Sequence, residues 1–210
     1  MSNPPRVPDR PRPLVIGLAG GVGAGKSAVA AAFAALGCVV SDSDRDAGGA
    51  LETPGVRAEL VRWWGDRVLT ADGGIDRRVV AAIVFADPSQ RARLEALIHP
   101  MVHRARAERV RSATIDGVRA VIVDAPLLFE AGVDDECDAV VFVDASRETR
   151  LARVRSRGWD EGELERRESA QWPLERKRAA SDYVIANESD RRHLESEAAR
   201  VLEDLARSPD

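Results

Sequence analysis

The sequence predicts an α/β fold in which helices cover both faces of a parallel β-sheet. Three observations favour this class: short apolar, β-branched runs recur along the chain, helical patterns separate them, and a glycine-rich loop joins the first run to the first helix. The chain has 210 residues and 44% hydrophobic content, which is enough for one substantial core. We therefore expect one globular unit.

The first elements surround the glycine-rich loop. Leu14 to Ala19 is short, apolar and followed at once by glycines, which is typical of a buried parallel strand. Ser27 to Leu36 is an alanine-rich helical segment that ends at Gly37. Cys38 to Val40 is a second short strand, closed by Ser41-Asp42-Ser43-Asp44. The order is strand, loop, helix, strand.

Helical patterns replace strands between Asp46 and Arg111. Turn signals occur at Thr53-Pro54-Gly55 and at Ala71-Asp72-Gly73-Gly74. The clearest helix start is Asp87-Pro88-Ser89-Gln90, where Asp caps, Pro suits the first helical position and Gln completes a capping box. This block is predicted to be a helical insertion.

Three further strands and a closing helix complete the predicted sheet. The strands are Ala120 to Asp124, Ala139 to Asp144 and Tyr183 to Ala186, and the amphipathic helix runs from Asp190 to Leu205. Between residues 146 and 180 the chain is dense in Arg and Glu, so this segment is predicted to bury little and to move.

Composition excludes several kinds of partner and site. Met1 to Pro13 is rich in proline and has no apolar run, so it is predicted to be a disordered tail and neither a signal peptide nor an anchor. No later segment approaches the roughly 20 apolar residues of a membrane span. A formal charge of -4 argues against nucleic acid. With two isolated cysteines, Cys38 and Cys137, we expect a cytoplasmic protein.

The glycine-rich loop carries the strongest functional signal. Gly20, Gly25, Lys26 and Ser27 match the phosphate-loop pattern G-x-x-x-x-G-K-[ST], between a strand and a helix as that motif requires. Glycines let successive N–H groups converge on phosphates, and the following helix adds the positive end of its dipole. ATP would bind Gly21, Val22, Gly23, Ala24, Gly25, Lys26 and Ser27. Lys26 would reach the β- and γ-phosphates, and Ser27 would hold Mg²⁺.

Acidic residues end the predicted strands at the edge where open α/β sheets bind ligands. Either Asp42 or Asp44 could accept a proton from a hydroxyl acceptor, and because neighbouring residues of a strand alternate in direction, the sequence leaves the choice open. Turn-forming caps are the structural alternative for this pair. Asp124 could hold the Mg²⁺ shell, or could be an ordinary loop acid.

Arginines crowd the segment from 146 to 180. Most are predicted to form a solvated face. Phosphoryl transfer nevertheless needs positive charge on the transferring group, and a mobile basic lid can supply it while excluding water. Arg153 and Arg157 are four residues apart and would share one helix face.

These motifs together resemble the dephospho-CoA kinase family over nearly the whole chain, from about Leu14 to Leu205. The matching segments, in order, are Gly17 to Ser27, Phe33 to Gly37, Val40 to Asp44, Gly74 to Arg77, Val84-Phe85, Leu94 to Pro100, Asp124 to Glu130, Gln171 with Lys177, and Asp182 to Asn187. The resemblance implies transfer of the γ-phosphoryl of ATP to the ribose 3'-hydroxyl of dephospho-CoA, with a P-loop NTPase-type sheet sandwiched by helices.

The resemblance also implies roles for particular residues. The family's catalytic carboxylate falls on Asp44. Arg153 and Arg157 match its lid arginines: we assign Arg153 to catalysis with Lys26, and Arg157 with Asn187 to ATP. On the acceptor side the resemblance places Arg77, His99 and Pro100, and we add Asp42 and Pro126. Ser27 and Asp124 are assigned to Mg²⁺.

Three parts follow from the same resemblance. The nucleotide core would comprise about 14–44, 118–145 and 181–207, a helical CoA-binding insertion about 45–117, and a mobile lid about 146–180. The partner would be the small molecule dephospho-CoA, with no nucleic acid or membrane, and the protein would be a monomer or weak homo-oligomer.

Two other functions are compatible with a phosphate loop of this kind. A P-loop kinase could act on another small hydroxyl acceptor, such as a nucleotide, and a panel of acceptors would separate the two. A nucleotide-dependent switch is the other class. Guanine switches usually carry a base-reading motif that contains lysine, and with only Lys26 and Lys177 in the chain that motif is absent.

Overall fold

The computed structural model describes residues 12–188 and 190–207, and within them it contains a five-stranded sheet in the order β2-β3-β1-β4-β5. The strands are β1 (Leu14–Gly20), β2 (Val39–Asp42), β3 (Ala120–Asp124), β4 (Ala139–Asp144) and β5 (Tyr183–Ala186). Every neighbouring pair is parallel, so all carboxyl ends lie at one edge. The predicted α/β sheet is confirmed.

The helices are α1 (Lys26–Ala35), α2 (Ser43–Leu51), α3 (Pro54–Trp64), α4 (Arg77–Ala86), α5 (Pro88–Ile115), α6 (Arg147–Arg155), α7 (Glu161–Ser169), α8 (Leu174–Ala179) and α9 (Arg191–Arg207). Short 3-10 turns occur at Asp66–Val68 and Val133–Glu136. Within the described residues, no helix is both long enough and apolar enough to cross a membrane.

Apolar clusters cover both faces of the sheet. On one face, Phe33 of α1 and Leu202 of α9 pack with inward side chains of the strands, including Ile122. On the other face, Phe129 and Trp172 pack with side chains such as Phe142. Strands that are buried on both faces read as continuous apolar runs, which is why their sequence pattern identified them.

Contacts divide the chain into two compact units. Ser43–Glu108 forms one unit, and the described residues up to Asp42 and from Arg109 onward form the other. The smaller unit is helical and has its own core, in which Leu60, Val68 and Ile75 are buried. Burying such side chains contributes about 1.5–3 kcal/mol each.

Helix α5 passes through Pro100 without ending. Proline inside a helix costs about 3 kcal/mol, because it removes a hydrogen bond and its ring crowds the preceding turn. Here Ile98 and Val102 are buried on either side of Pro100 and pack with Ala50. Their burial offsets the local cost, so the helix continues.

Of the predicted tail, residues 1–11 lie outside the described residues. Arg12 is described, and its guanidinium donates to Asp138 Oδ1 at 2.7 Å and to Asp138 Oδ2 at 3.0 Å. Asp138 also accepts from the backbone N–H of Val15 at 2.7 Å. The folded part therefore extends at least two residues before the predicted start at Leu14.

Most residues of the predicted lid, 146–180, are exposed, but a few side chains are buried. Val154 and Leu164 are fully buried, and Lys177 is 1% exposed. Nζ of Lys177 lies 3.0 Å from Glu130 Oε1 and donates to Gln171 Oε1 at 2.8 Å. The expectation that this segment buries little therefore holds for most of its residues, and these buried side chains are the exceptions.

Replacing Glu130 by glutamine is expected to lower the free energy of unfolding by about 3 kcal/mol at pH 7, because buried Lys177 loses its charged partner. Burial opposes ionisation of Glu130, but hydrogen bonds from the Trp172 N–H and from Lys177 outweigh it and lower the pKa of the carboxyl group. A lowered pKa contributes stability above the ordinary value, and this is lost as pH falls through the folded-state pKa.

Urea unfolding of wild type and Glu130→Gln at several pH values measures this effect. The difference between them should shrink as the pH falls below about 4. Exposed Glu175 of α8 provides the matched control, since Glu175→Gln should change little at either pH. An equal deficit for Glu130→Gln at pH 7 and at acidic pH would contradict the charge argument.

Candidate active site

The phosphate loop connects β1 to α1 at the carboxyl edge of the sheet. Gly23 and Gly25 have φ values of +79° and +89°, which residues other than glycine rarely adopt. A Cβ at Gly23 would lie 2.8 Å from the carbonyl oxygen of Arg150, and one at Gly25 would overlap the Asn187 amide. These glycines are therefore required both by conformation and by close packing.

Side chains from outside the loop hold its carbonyl groups. Arg153 Nη1 donates to Ala24 O at 2.9 Å, and Asn187 Nδ2 donates to the same oxygen at 2.8 Å. Arg150 Nη1 lies 3.4 Å from Val22 O. Arg153 Nη2 also donates to Asn187 O at 2.8 Å, which links the two supports.

Holding the carbonyl groups also orients the N–H groups. In a planar trans peptide, the C=O of one residue and the N–H of the next point in opposite directions. Fixing the carbonyls of Val22 and Ala24 therefore directs the N–H groups of Gly23 and Gly25 away from Arg150 and Arg153. Converging N–H groups at a helix start form an anion site.

Lys26 and Ser27 follow the loop as the first residues of α1. Ser27 is exposed, and its hydroxyl lies 3.4 Å from Asp124 Oδ2 at the end of β3. Asp42 at the end of β2 is in register with Asp124. The sheet therefore brings the two predicted metal-binding residues together, with an additional carboxylate on the adjacent strand.

The remaining residues predicted for catalysis and for the acceptor occur on several elements. Asp44 lies exposed in the first turn of α2. Arg77 begins α4, and its Nη2 donates to Gly48 O at 2.9 Å. His99 is exposed on α5, and Pro126 is half-buried in the turn after β3. Their roles stay predictions.

Two residues predicted to contact ATP have quite different surroundings. Asn187 is 3% exposed, and its side-chain amide holds the phosphate loop. Arg157 is exposed just after α6. Direct binding of ATP by either residue stays a prediction, as does the assignment of Arg153 to the transferring phosphoryl group.

Sequence reasoning missed Arg150, which is 5% exposed and packs on the loop. Arg150 belongs to the arginine-rich segment 146–180, in which most arginines are predicted to form a solvated face. Helical spacing could have identified it, because Arg150, Arg153 and Val154 follow the i, i+3, i+4 pattern of one face. The buried Val154 marks that face as the inner one.

The parallel sheet and the phosphate loop at its carboxyl edge define the class of fold, the P-loop NTPase-type α/β fold. A protein of known crystal structure from Thermus thermophilus has a TM-score of 0.81 and 32% identity to this chain, covering 94% of this chain and 100% of its own. Dephospho-CoA kinase from Campylobacter jejuni, at 21% identity, shares the fold with a TM-score of 0.62, covering 91% of this chain and 96% of its own.

Sequence comparison narrows the class. A family model described as dephospho-CoA kinase matches residues 14–193. A dephospho-CoA kinase of Anaeromyxobacter dehalogenans is 41% identical over 194 residues, which covers 91% of this chain and 92% of that relative. The chain belongs to the dephospho-CoA kinase family. The predicted family and enzyme class are confirmed, and an acceptor from another kinase class is not favoured.

Proposed function

We propose that the protein transfers the γ-phosphoryl group of ATP to the ribose 3'-hydroxyl of dephospho-CoA and releases CoA and ADP, the last step of coenzyme A biosynthesis. The observation that carries the proposal is the complete phosphate loop, Gly20 to Ser27, in a chain whose family match spans residues 14–193. The loop supplies ATP binding, and the family match supplies the acceptor.

The loop and Lys26 bind and polarise the phosphates. The N–H groups of Gly23 and Gly25 donate to phosphate oxygens, and Lys26 offsets the charge that develops on the β- and γ-phosphates. Arg153 and Arg157 add positive charge from the lid. Contacts of these arginines with the phosphates raise kcat only if they are stronger in the transition state than in the ground state.

Asp44 acts as the general base. Its carboxylate accepts the proton of the 3'-hydroxyl, whose oxygen then bonds to the γ-phosphorus while the bond to the β–γ bridging oxygen breaks. ADP leaves with the electron pair of that bond. Asp42, Arg77, His99 and Pro126 belong to the acceptor side, and the insertion of about 45–117 binds the rest of dephospho-CoA.

Ser27 and Asp124 fit a magnesium site. Their oxygens lie 3.4 Å apart at the end of β3, and hard oxygen donors beside bound phosphates are what Mg²⁺ prefers. When bound, Mg²⁺ would neutralise charge on the β- and γ-phosphates. Ser27 and Asp124 are the residues that would hold the ion.

The proposal is tested by the product. Purified protein with Mg-ATP is expected to add one phosphoryl group to dephospho-CoA, seen as a mass increase of one phosphate with stoichiometric ADP. Adenosine, AMP and shikimate serve as acceptor controls, and they should be phosphorylated far more slowly. If the protein bound ATP but formed no CoA from dephospho-CoA, the acceptor assignment would be refuted.

We also propose a cytoplasmic protein that is a monomer or weak homo-oligomer. Both substrates are small and diffusible. Light scattering over a range of concentrations measures the oligomeric state, and a tight constant oligomer would contradict this part.

A further inference from the structure

Arg150 makes contacts that link the phosphate loop to helix α7. Its side chain is 6% exposed and forms an ion pair with Glu168 near the end of α7. The same Nη1 atom lies 3.4 Å from Val22 O. One guanidinium therefore touches both the loop that binds phosphate and the helix that would move in a lid.

Packing around Arg150 leaves little freedom in the loop. A Cβ at Gly21 would lie 3.0 Å from Arg150 Nη1 and 3.0 Å from Leu174 Cδ2. Arg150 Nη1 lies 3.4 Å from the Val22 carbonyl oxygen, and this contact favours one orientation of the peptide between Val22 and Gly23. The N–H of Gly23 then points away from Arg150, as phosphate binding by the loop requires.

The burial of Arg150 is not explained by a gain in folding stability. Arg150 Nε is buried and has no hydrogen-bond partner among the described residues. An unsatisfied buried donor costs about 1–3 kcal/mol, and a buried ion pair contributes little net stability compared with apolar side chains. The cost is explained if the guanidinium serves the loop.

We propose that Arg150 is a positioning residue for ATP binding, and that Glu168 acts through it to make the phosphate loop depend on the position of α7. Arg150 need not touch ATP. When α7 is in place, Glu168 holds the guanidinium against the Val22 carbonyl, and the Gly23 N–H is oriented for phosphate. When α7 is displaced, the loop loses this support and binds phosphate more weakly.

The inference rests on the ATP-binding part of the proposed function. It is tested by calorimetric titration with the β,γ-imido analogue of ATP and Mg²⁺, without acceptor. We expect Glu168→Gln to raise the Kd for the analogue about threefold. We expect Arg150→Met to raise it about tenfold, because this variant loses one charge-assisted hydrogen bond. Arg150→Lys should fall between wild type and Arg150→Met, since one ammonium lacks the guanidinium fork.

A double-mutant cycle distinguishes positioning from general weakening. If Glu168 acts through Arg150, adding Glu168→Gln to Arg150→Met should not raise Kd further. The matched control is Glu165→Gln, which removes an exposed partner of Arg147 between the same two helices, 3.1 Å from Arg147 Nη2. This control should leave Kd unchanged.

The outcomes separate the proposals. Failure of wild type to bind the analogue would refute the proposed function itself. Binding by wild type with unchanged Kd in Glu168→Gln and Arg150→Met, even with lower melting temperatures, would overturn the positioning role. Additive effects in the double variant, or an equal effect of Glu165→Gln, would overturn the link through Arg150.

Discussion

Replacing Lys26 by alanine is expected to lower kcat/KM for ATP about a thousandfold, because the loop loses the cation that stabilises charge on the transferred phosphoryl group. Lys26 begins α1 directly after Gly25, whose own position is fixed by Asn187. Lys177 cannot replace it, since that lysine is 1% exposed and paired with Glu130.

Steady-state kinetics with varied ATP at saturating dephospho-CoA measures the effect of Lys26→Ala. Lys26→Arg keeps the charge but replaces a compact ammonium by a planar fork, so we expect it to recover only part of the rate. The melting temperatures of both variants should stay close to wild type, since neither substitution alters the core. A kcat/KM for Lys26→Ala within a factor of about ten of wild type would exclude Lys26 from the chemical step.

Replacing Asp44 by asparagine is expected to lower kcat between about a hundredfold and ten-thousandfold, because in the proposed mechanism the 3'-hydroxyl loses its proton acceptor. Affinity for the ATP analogue should change little, since the amide keeps the size of the side chain and is not part of the phosphate loop.

Asp42→Asn is the matched comparison, because both acids lie in the segment Val40 to Asp44. Asp42 is half-buried in β2 beside Asp124, whereas Asp44 is exposed in the first turn of α2. We therefore expect Asp42→Asn to lower kcat less than Asp44→Asn. If Asp42→Asn proved the more damaging substitution, Asp42 would be the base.

Much of the nucleotide core could be predicted because its signals are local. The strands Ala120–Asp124, Ala139–Asp144 and Tyr183–Ala186 have the predicted bounds, since each is a short apolar run, and the first two are buried almost throughout. The helix start at Asp87 was also predicted correctly, and the Ser89 N–H donates to the Asp87 side chain at 2.8 Å. Short strands and helix caps of this kind are determined mainly by residues that are adjacent in the sequence.

Composition alone did not identify the buried basic residues Arg150 and Lys177, although helical spacing marks the face on which Arg150 lies. Arg150 and Lys177 lie in segments where basic residues are common, so composition did not distinguish them from solvated ones. Their partners depend on tertiary contacts, Val22 with Arg150 and Glu130 with Lys177. The continuation of α5 through Pro100 depends likewise on packing around Ile98 and Val102, which outweighs the local preference.

The burial of Lys177 has a practical consequence for chemical labelling. The chain has 31 basic residues, and its lysines are Lys26 and Lys177 alone. An amine-directed reagent acting on the folded protein meets one lysine that is 1% exposed and another that is half-buried at the phosphate loop. Acylation of Lys26, measured against the N-terminal amine as an internal reference, would thus report nucleotide occupancy without any engineered probe.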